Sequence, residues 1–193
     1  MSIIAGRPLR ADARRNREKV RTAAAAAAAF AERGIEAQVE EIARRAGVGV
    51  GTVYRHFSTK EALVSAMAED HFNRLAAALE QALEEKGEPW DVFAATIRRS
   101  ASEVAADIAR CKIMAGPQRG VDAVGDGRKR LATATATLIS RAGASGAMRA
   151  DATVEDVETI LCGFGHVAAA RRAGATLDWE RYLTIAPDGL RAR

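Results

Sequence analysis

Residues Val39 to Lys60 read VEEIARRAGVGVGTVYRHFSTK, and this stretch decides the fold. Two short helical patterns flank Gly47, and the second ends in Tyr54-Arg55-His56. Two helices joined by a tight glycine-containing turn form a helix-turn-helix, whose second helix can lie in the major groove of DNA. Ile42, Ala46, Val48, Val53 and Phe57 are the apolar positions able to close a small core with a preceding helix. Ala43 falls where the two helices cross, so a larger side chain would push them apart. Gly47 accepts the backbone geometry that turns the chain.

That assignment leaves Val50, Gly51, Thr52 and Arg55 on the outer side of the second helix. Gly51 lets the backbone approach DNA, and the methyl groups of Val50 and Thr52 can touch thymine methyls. Arg55 can reach guanine or a phosphate. Tyr54, His56 and Lys60 suit phosphate oxygens, which set register rather than sequence. Tyr54 or His56 taken alone could instead be a core or capping residue.

Charge agrees with a nucleic-acid partner. Residues 1–60 hold 12 Lys/Arg against 6 Asp/Glu, whereas residues 61–193 hold 17 against 19. Such asymmetry is expected where one end of a chain meets a polyanion and the other does not. Residues 1–13 read as a flexible basic arm. A helix is expected from near Arg14 to Glu32, with Val20, Ala24, Ala27 and Ala31 on one face and Gly34 ending it.

Beyond the motif the chain reads as all-α. A long helix is expected from Lys60 to about Glu85, opened by a capping box of Ser58 and Glu61. Its apolar positions are Val64, Met67, Leu75, Leu79 and Ala82. Pro89 suits the first turn of the next helix, whose stripe is Trp90, Ala94, Ile97, Ala101, Val104 and Ile108. Residues 115–127, rich in glycine, read as a loop or broken short helix. Leu131 to Ser140 alternates like a strand, yet Leu131, Thr135, Leu138 and Ala142 also fit one helical face, and a lone strand has no partner; helix is expected. Thr153 with Asp156 opens another helix to about Arg172. A last helix starts near Asp178, and Pro187 must kink or end it.

Other classes of function find little support. No apolar stretch approaches the ~20 residues needed to span a bilayer, and no signal peptide is recognisable, so a cytoplasmic location is expected. Cys111 and Cys162 are too far apart for a metal or redox motif, and His71 and His166 lack ligand spacing, so neither metal nor cofactor is expected. The body has no nucleophile–base pair, no paired carboxylates at useful spacing and no phosphate-cradling loop, which argues against an enzyme.

The run Phe30-Ala31-Glu32-Arg33-Gly34, then Glu41-Ile42-Ala43, Ala46-Gly47-Val48, and Gly51-Thr52-Val53-Tyr54-Arg55-His56-Phe57 through Lys60-Glu61-Ala62-Leu63, resembles the TetR family of bacterial transcriptional regulators. The likeness is dense over residues 14–65. Arg141-Ala142-Gly143, Gly146 to Asp151 and Asp188 to Arg191 resemble one actinobacterial-type subgroup. The resemblance implies an all-α homodimer, usually a repressor, with a three-helix head (residues 1–60 with the arm) and a six-helix ligand-binding and dimerisation body (61–193). It places Thr52, Tyr54, His56 and Lys60 on DNA, with Val50, Gly51 and Arg55 facing the bases or their flanks. Three positions depart from the pattern: Ala37-Gln38 and Gly49 stand where many relatives carry a capping Ser or Thr, and Pro187 falls inside a helix that the family uses for dimerisation.

The same resemblance implies a palindromic operator and release by a small-molecule effector. An effector cavity would be lined by Trp90, Phe93, Ile97, Met114, Thr135, Leu138 and Phe164, and the lack of charge in these apolar stripes points to a neutral or apolar ligand. The dimer interface would use Val154, Val157, Leu161, Phe164, Ala168, Trp179 and Leu183, joined by Ala186, unless these face their own core. A constitutive DNA-binding dimer without ligand response is the alternative.

Overall fold

Alanine run, glycine turn and capped helices account for most of what folds. The computed structural model describes residues 10–106 and 125–192. Helix α1 spans Arg10–Arg33, α2 Val39–Ala46, α3 Val50–His56, α4 Lys60–Leu83, α5 Pro89–Ala106, α6 Asp126–Ala144, α7 Val154–Arg172 and α8 Trp179–Asp188. Among the described residues there is no strand, only an isolated bridge between Met148 and Arg191. The fold is all-α. Residue contacts divide the chain into two compact units, Met1–Met67 and Ala68–Arg193, and α4 contributes to both.

The first unit is organised by α1. Alanine lets a neighbouring helix come close, and the buried face consists of Thr22, Ala25, Ala26, Ala29 and Phe30. This differs from the expected face: Ala24 is exposed and Ala27 half-buried. Phe30 sets the rotation, because burying one large apolar side chain is worth roughly 1.5–3 kcal/mol, more than any alanine in the run supplies. Arg10, the first described residue, is already helical, ahead of the start expected near Arg14, and residues 1–9 of the expected arm lie outside the described residues. Gly34, at φ +60°, turns the chain into a short 3-10 turn over Gly34–Glu36.

Helix α2 carries Glu40 and Glu41 in its first turn and Arg44 and Arg45 in its last, charges that complement the helix dipole. Gly47 ends it in the left-handed region, at φ +63°. There the Gly47 amide donates to Ala43 and Arg44 carbonyls, and the Val48 amide returns to Ala43 at 3.0 Å. These bonds satisfy carbonyls that the helix end would otherwise leave open. Ile42, Ala43, Ala46, Val53 and Phe57 are buried as expected, and Val48 is half-buried.

The described residues of the second unit pack an apolar core. It contains Leu75 and Leu79 of α4, Trp90, Phe93 and Ile97 of α5, Leu131 and Leu138 of α6, Val157 and Phe164 of α7, and Leu183 of α8. The alternating stretch Leu131 to Ser140 lies within α6. Its Thr135 and Thr137 hydroxyls donate to carbonyls four residues back, at 2.8 and 2.9 Å, so they need no strand partner. Residues 115–124 of the expected loop lie outside the described residues, and Asp126 is already helical.

Helix ends here are tied by specific groups. Gly125, the N-cap of α6, has no side chain to offer, and the Glu69 carboxylate of α4 accepts from the Gly127 amide at 2.9 Å instead. Arg130 adds a forked pair to Glu80 at 2.9 and 2.6 Å. Thr153 and Asp156 form a reciprocal capping box on α7, and Asp178 caps α8 through the Arg181 amide at 3.0 Å. Pro187 is buried in the last turn of α8, which ends one residue later; the proline terminates the helix without kinking its middle.

Candidate nucleic-acid interface

Helix α3 is short, and its placement depends on what holds its two sides. Val53 is buried against Val39 and Ala43, and Phe57 closes the end of the helix with its amide on the Val53 carbonyl at 2.8 Å. The opposite side stays open. Gly51, Tyr54 and Arg55 are exposed, Thr52 is half-buried, and Tyr54, at 46 % exposure, is one of the few large apolar side chains left in solvent among the described residues. A Cβ added at Gly51 would meet nothing within 4 Å, so the backbone there is open to a close-approaching partner.

Two residues sit differently from the outward positions expected of them. Val50 is half-buried and packs against the Val39–Ala43–Val53 cluster, so it contributes to the head's core as well as to its rim. His56 turns inward: its side chain is 7 % exposed and Nε2 lies 3.7 Å from a Glu18 carboxylate oxygen on α1. Burial, not solvent, surrounds this imidazole.

Lys60 is the first residue of α4 and is half-buried. The cap that starts α4 is Thr59, whose hydroxyl accepts from the Ala62 amide at 3.1 Å, rather than Ser58. The helix begins at Lys60, so the residue one before it is the one whose hydroxyl meets the open amides. Glu61 is held below its ordinary value by backbone hydrogen bonding at the helix start and by the Thr59 hydroxyl. At the two departing cap positions, Gln38 and Gly49, no side chain caps the helix; the Gln38 amide instead donates to the Glu36 carbonyl at 3.0 Å.

An ionic network braces α1 against α2. Arg45 donates to both oxygens of Glu32, at 2.8 and 2.5 Å, and to Glu41 at 3.0 and 2.6 Å. Arg33 reaches the other Glu41 oxygen at 2.9 Å. The hydrogen bonds from Arg45 lower Glu32, and Glu32 in turn raises Arg45 above its ordinary value. Glu32 and Glu41 are thereby engaged by the head's own arginines. Arg21 donates to the Gly47 carbonyl at 3.2 Å, bracing the turn from α1. Sequence patterning missed both braces, because each joins residues far apart in the chain.

Most of the residues expected around an effector lie in the buried core of the body. Trp90, Phe93, Ile97, Thr135, Leu138 and Phe164 are all buried, and the Trp90 and Phe93 rings stand 5.7 Å apart. Met114 lies outside the described residues. The expected dimer stripe is also largely taken: Val157, Phe164, Ala168 and Leu183 are buried by their own chain, and Trp179 packs edge-on to Phe164 at 5.4 Å. Val154, Leu161 and Ala186 are half-buried. What α7 and α8 leave in solvent is a different set, including Thr159, Cys162, Gly163 and His166 on α7, with Tyr182 and Ile185 on α8.

Among the described residues, no helix is long and apolar enough to cross a membrane, and no cluster of His, Cys, Asp and Glu could hold a metal ion.

Comparison with known proteins agrees with this geometry. Residues 23–67 match the family model of bacterial regulatory proteins of the tetR family, and residues 88–192 match that of the SbtR-like transcriptional regulator C-terminal domain. A TetR transcriptional regulator from Streptomyces coelicolor is 33 % identical, with 90 % of this chain and 98 % of that one covered and a TM-score of 0.61. A TetR regulatory protein from Mycobacterium vanbaalenii is 32 % identical over 96 % of this chain and 100 % of its own, with a TM-score of 0.63. A ketosteroid transcriptional regulator of Mycobacterium tuberculosis, 22 % identical over 91 % of this chain and 96 % of its own, shares the fold with a TM-score of 0.63. No curated protein matches the chain. A DNA-binding helix-turn-helix head, an all-α body and two matching family models that together cover most of the sequence lead to one conclusion: the chain belongs to the TetR family of bacterial transcriptional regulators.

Proposed function

We propose that the protein is a repressor that binds a palindromic operator as a homodimer and releases it when a small-molecule effector binds the body. The open side of α3 carries the DNA half of this reading: Gly51, Tyr54 and Arg55 are exposed, while Val53 and Phe57 anchor the helix from behind. Thr52 and Lys60 flank that surface. A seven-residue recognition helix reads few base pairs, so affinity requires two heads spaced about one helical turn, ~34–36 Å, along the duplex. Tyr182 and Ile185, apolar and in solvent, support α7 and α8 as the pairing face. Effector release requires that the ligand prefer one body state by about 1–3 kcal/mol.

A constitutive DNA-binding dimer draws support from the burial of Trp90, Phe93, Ile97, Thr135, Leu138 and Phe164. The two readings part on whether any small molecule releases DNA. The experiment that tests the shared reading is fluorescence anisotropy with duplexes from the region around the protein's own gene. Sequence-selective binding by a dimer, with raised transcription when the gene is deleted, is expected; affinity equal to that for random DNA would sink it.

A further inference from the structure

A cleft of about 430 Å³ opens on the body, lined by Ser102 and Ala105 of α5, Ala168, Arg171 and Arg172 of α7, and Trp179 of α8. That volume lies in the range of small-molecule sites. Its chemistry differs from the neutral cavity that the apolar stripes led one to expect, because both arginines sit in the last turn of α7, beyond the stripe.

Arginines at a helix C-terminus have an ordinary use, since they complement the dipole and bond open carbonyls. Arg172 does so, donating to the Ala105 carbonyl at 3.1 Å. Arg171 has no hydrogen-bond or ion-pair partner for its guanidinium among the described residues. The Ser102 hydroxyl donates to the Arg98 carbonyl at 3.0 Å, so the charged donors facing a guest are the guanidinium N–H groups, with the Trp179 indole N–H a neutral one beside them. Trp179 is half-buried and held edge-on by Phe164, and with Ala168 and Ala105 it supplies a flat, apolar wall. A planar fork of N–H donors matches carboxylate or phosphate, and the apolar wall selects the one that carries hydrocarbon.

We propose that this cleft binds a small organic carboxylate, its carboxylate on Arg171 with Arg172 beside it and its hydrocarbon against Trp179 and Ala168. This assigns a ligand class to the effector and rests on the effector-responsive reading only for its consequence at DNA.

The test is titration calorimetry of the full-length protein with 4-phenylbutyrate, its neutral amide, and inorganic phosphate. Millimolar or tighter binding of the carboxylate is expected, about tenfold or more stronger than the amide or phosphate. Arg171→Gln should abolish that preference without moving the melting temperature, and Trp179→Leu should weaken carboxylate and amide alike. Equal binding of carboxylate and amide, phosphate binding as tightly as the carboxylate, or an Arg171→Gln variant that keeps the preference would each overturn the proposal. Anisotropy with operator DNA separates the two readings: carboxylate binding with no loss of DNA supports the cleft and removes it from regulation.

Discussion

His56, the last residue of the recognition helix, places its imidazole Nε2 3.7 Å from the Glu18 carboxylate of α1, buried and beyond hydrogen-bond reach. The contact ties the end of α3 to the helix behind it. His56→Ala is therefore expected to act on folding, lowering stability by about 1–3 kcal/mol through lost packing. Its DNA affinity, measured at a temperature where the head is folded, should keep the wild-type salt slope. A slope shallower by about one unit would return His56 to the phosphates.

Lys60 and Tyr54 are expected to behave otherwise. Each phosphate neutralised contributes roughly 0.9 to the slope of log affinity against log salt, so Lys60→Ala should flatten that slope by about one. Tyr54→Phe should weaken binding to every duplex by a similar factor. Arg55→Ala should cost about 1–3 kcal/mol at particular base pairs and leave others untouched. Anisotropy across a salt series, with single-base-pair variants of the selected duplex, checks all three.

Gly47 and Gly49, two residues apart, are expected to respond oppositely to a side chain. Gly47 sits at φ +63°, where an L residue costs about 1–2 kcal/mol, so Gly47→Ala should destabilise the head although no atom obstructs its Cβ closer than 3.9 Å. Gly49 is extended at φ −70°, has open space around it and caps α3 without a side chain. Gly49→Ser should stabilise α3 by a few tenths of a kcal/mol. Paired denaturation curves decide it: a loss at Gly49 or a gain at Gly47 contradicts the assigned turn.

Acid should remove the support at the start of α7. Thr153 donates to Asp156 through its amide and hydroxyl, each at 2.8 Å, and the hydroxyl bond, then the amide bond, holds the Asp156 carboxyl below its ordinary value of 3.8. A carboxyl depressed in the folded state stabilises above the unfolded value and loses that contribution as pH falls through the folded one. The melting-temperature gap between wild type and Asp156→Ala should stay constant at neutral pH and shrink only below the ordinary value. A gap that persists in acid would mean that the charge plays no part.

What was legible in the chain follows from contrast between side chains. Leu75, Leu79, Ile97, Leu131 and Leu138 differ sharply from their neighbours, so their phase was readable, even where Thr133, Thr135 and Thr137 imitate a strand. The run Ala23 to Ala29 carries no such contrast, and its buried face became clear only from Phe30. The motif marked α3 as a recognition helix, but His56 turns inward toward Glu18, a residue that no local pattern connects to it. Periodicity also marked Val157, Phe164 and Leu183 as one apolar face without saying whether their own chain or a second copy covers it.

That last distinction can be read in solution. Leu183 is buried by its own chain, whereas Ile185, two residues on, is 52 % exposed and Tyr182 is 42 % exposed. Leu183→Ala should cost about 2–5 kcal/mol of stability, the usual penalty for emptying a core position, and leave the oligomeric state of the folded protein unchanged. Ile185→Glu should do the reverse, keeping the fold while placing a charge where two copies would desolvate it. Sedimentation velocity is expected to show a dimer for wild type and Leu183→Ala and a monomer for Ile185→Glu. The monomer should also bind a palindromic duplex far more weakly, because one head alone reads a half-site. A dimeric Ile185→Glu protein would exclude this part of α8 from the interface and place the pairing surface elsewhere on the body.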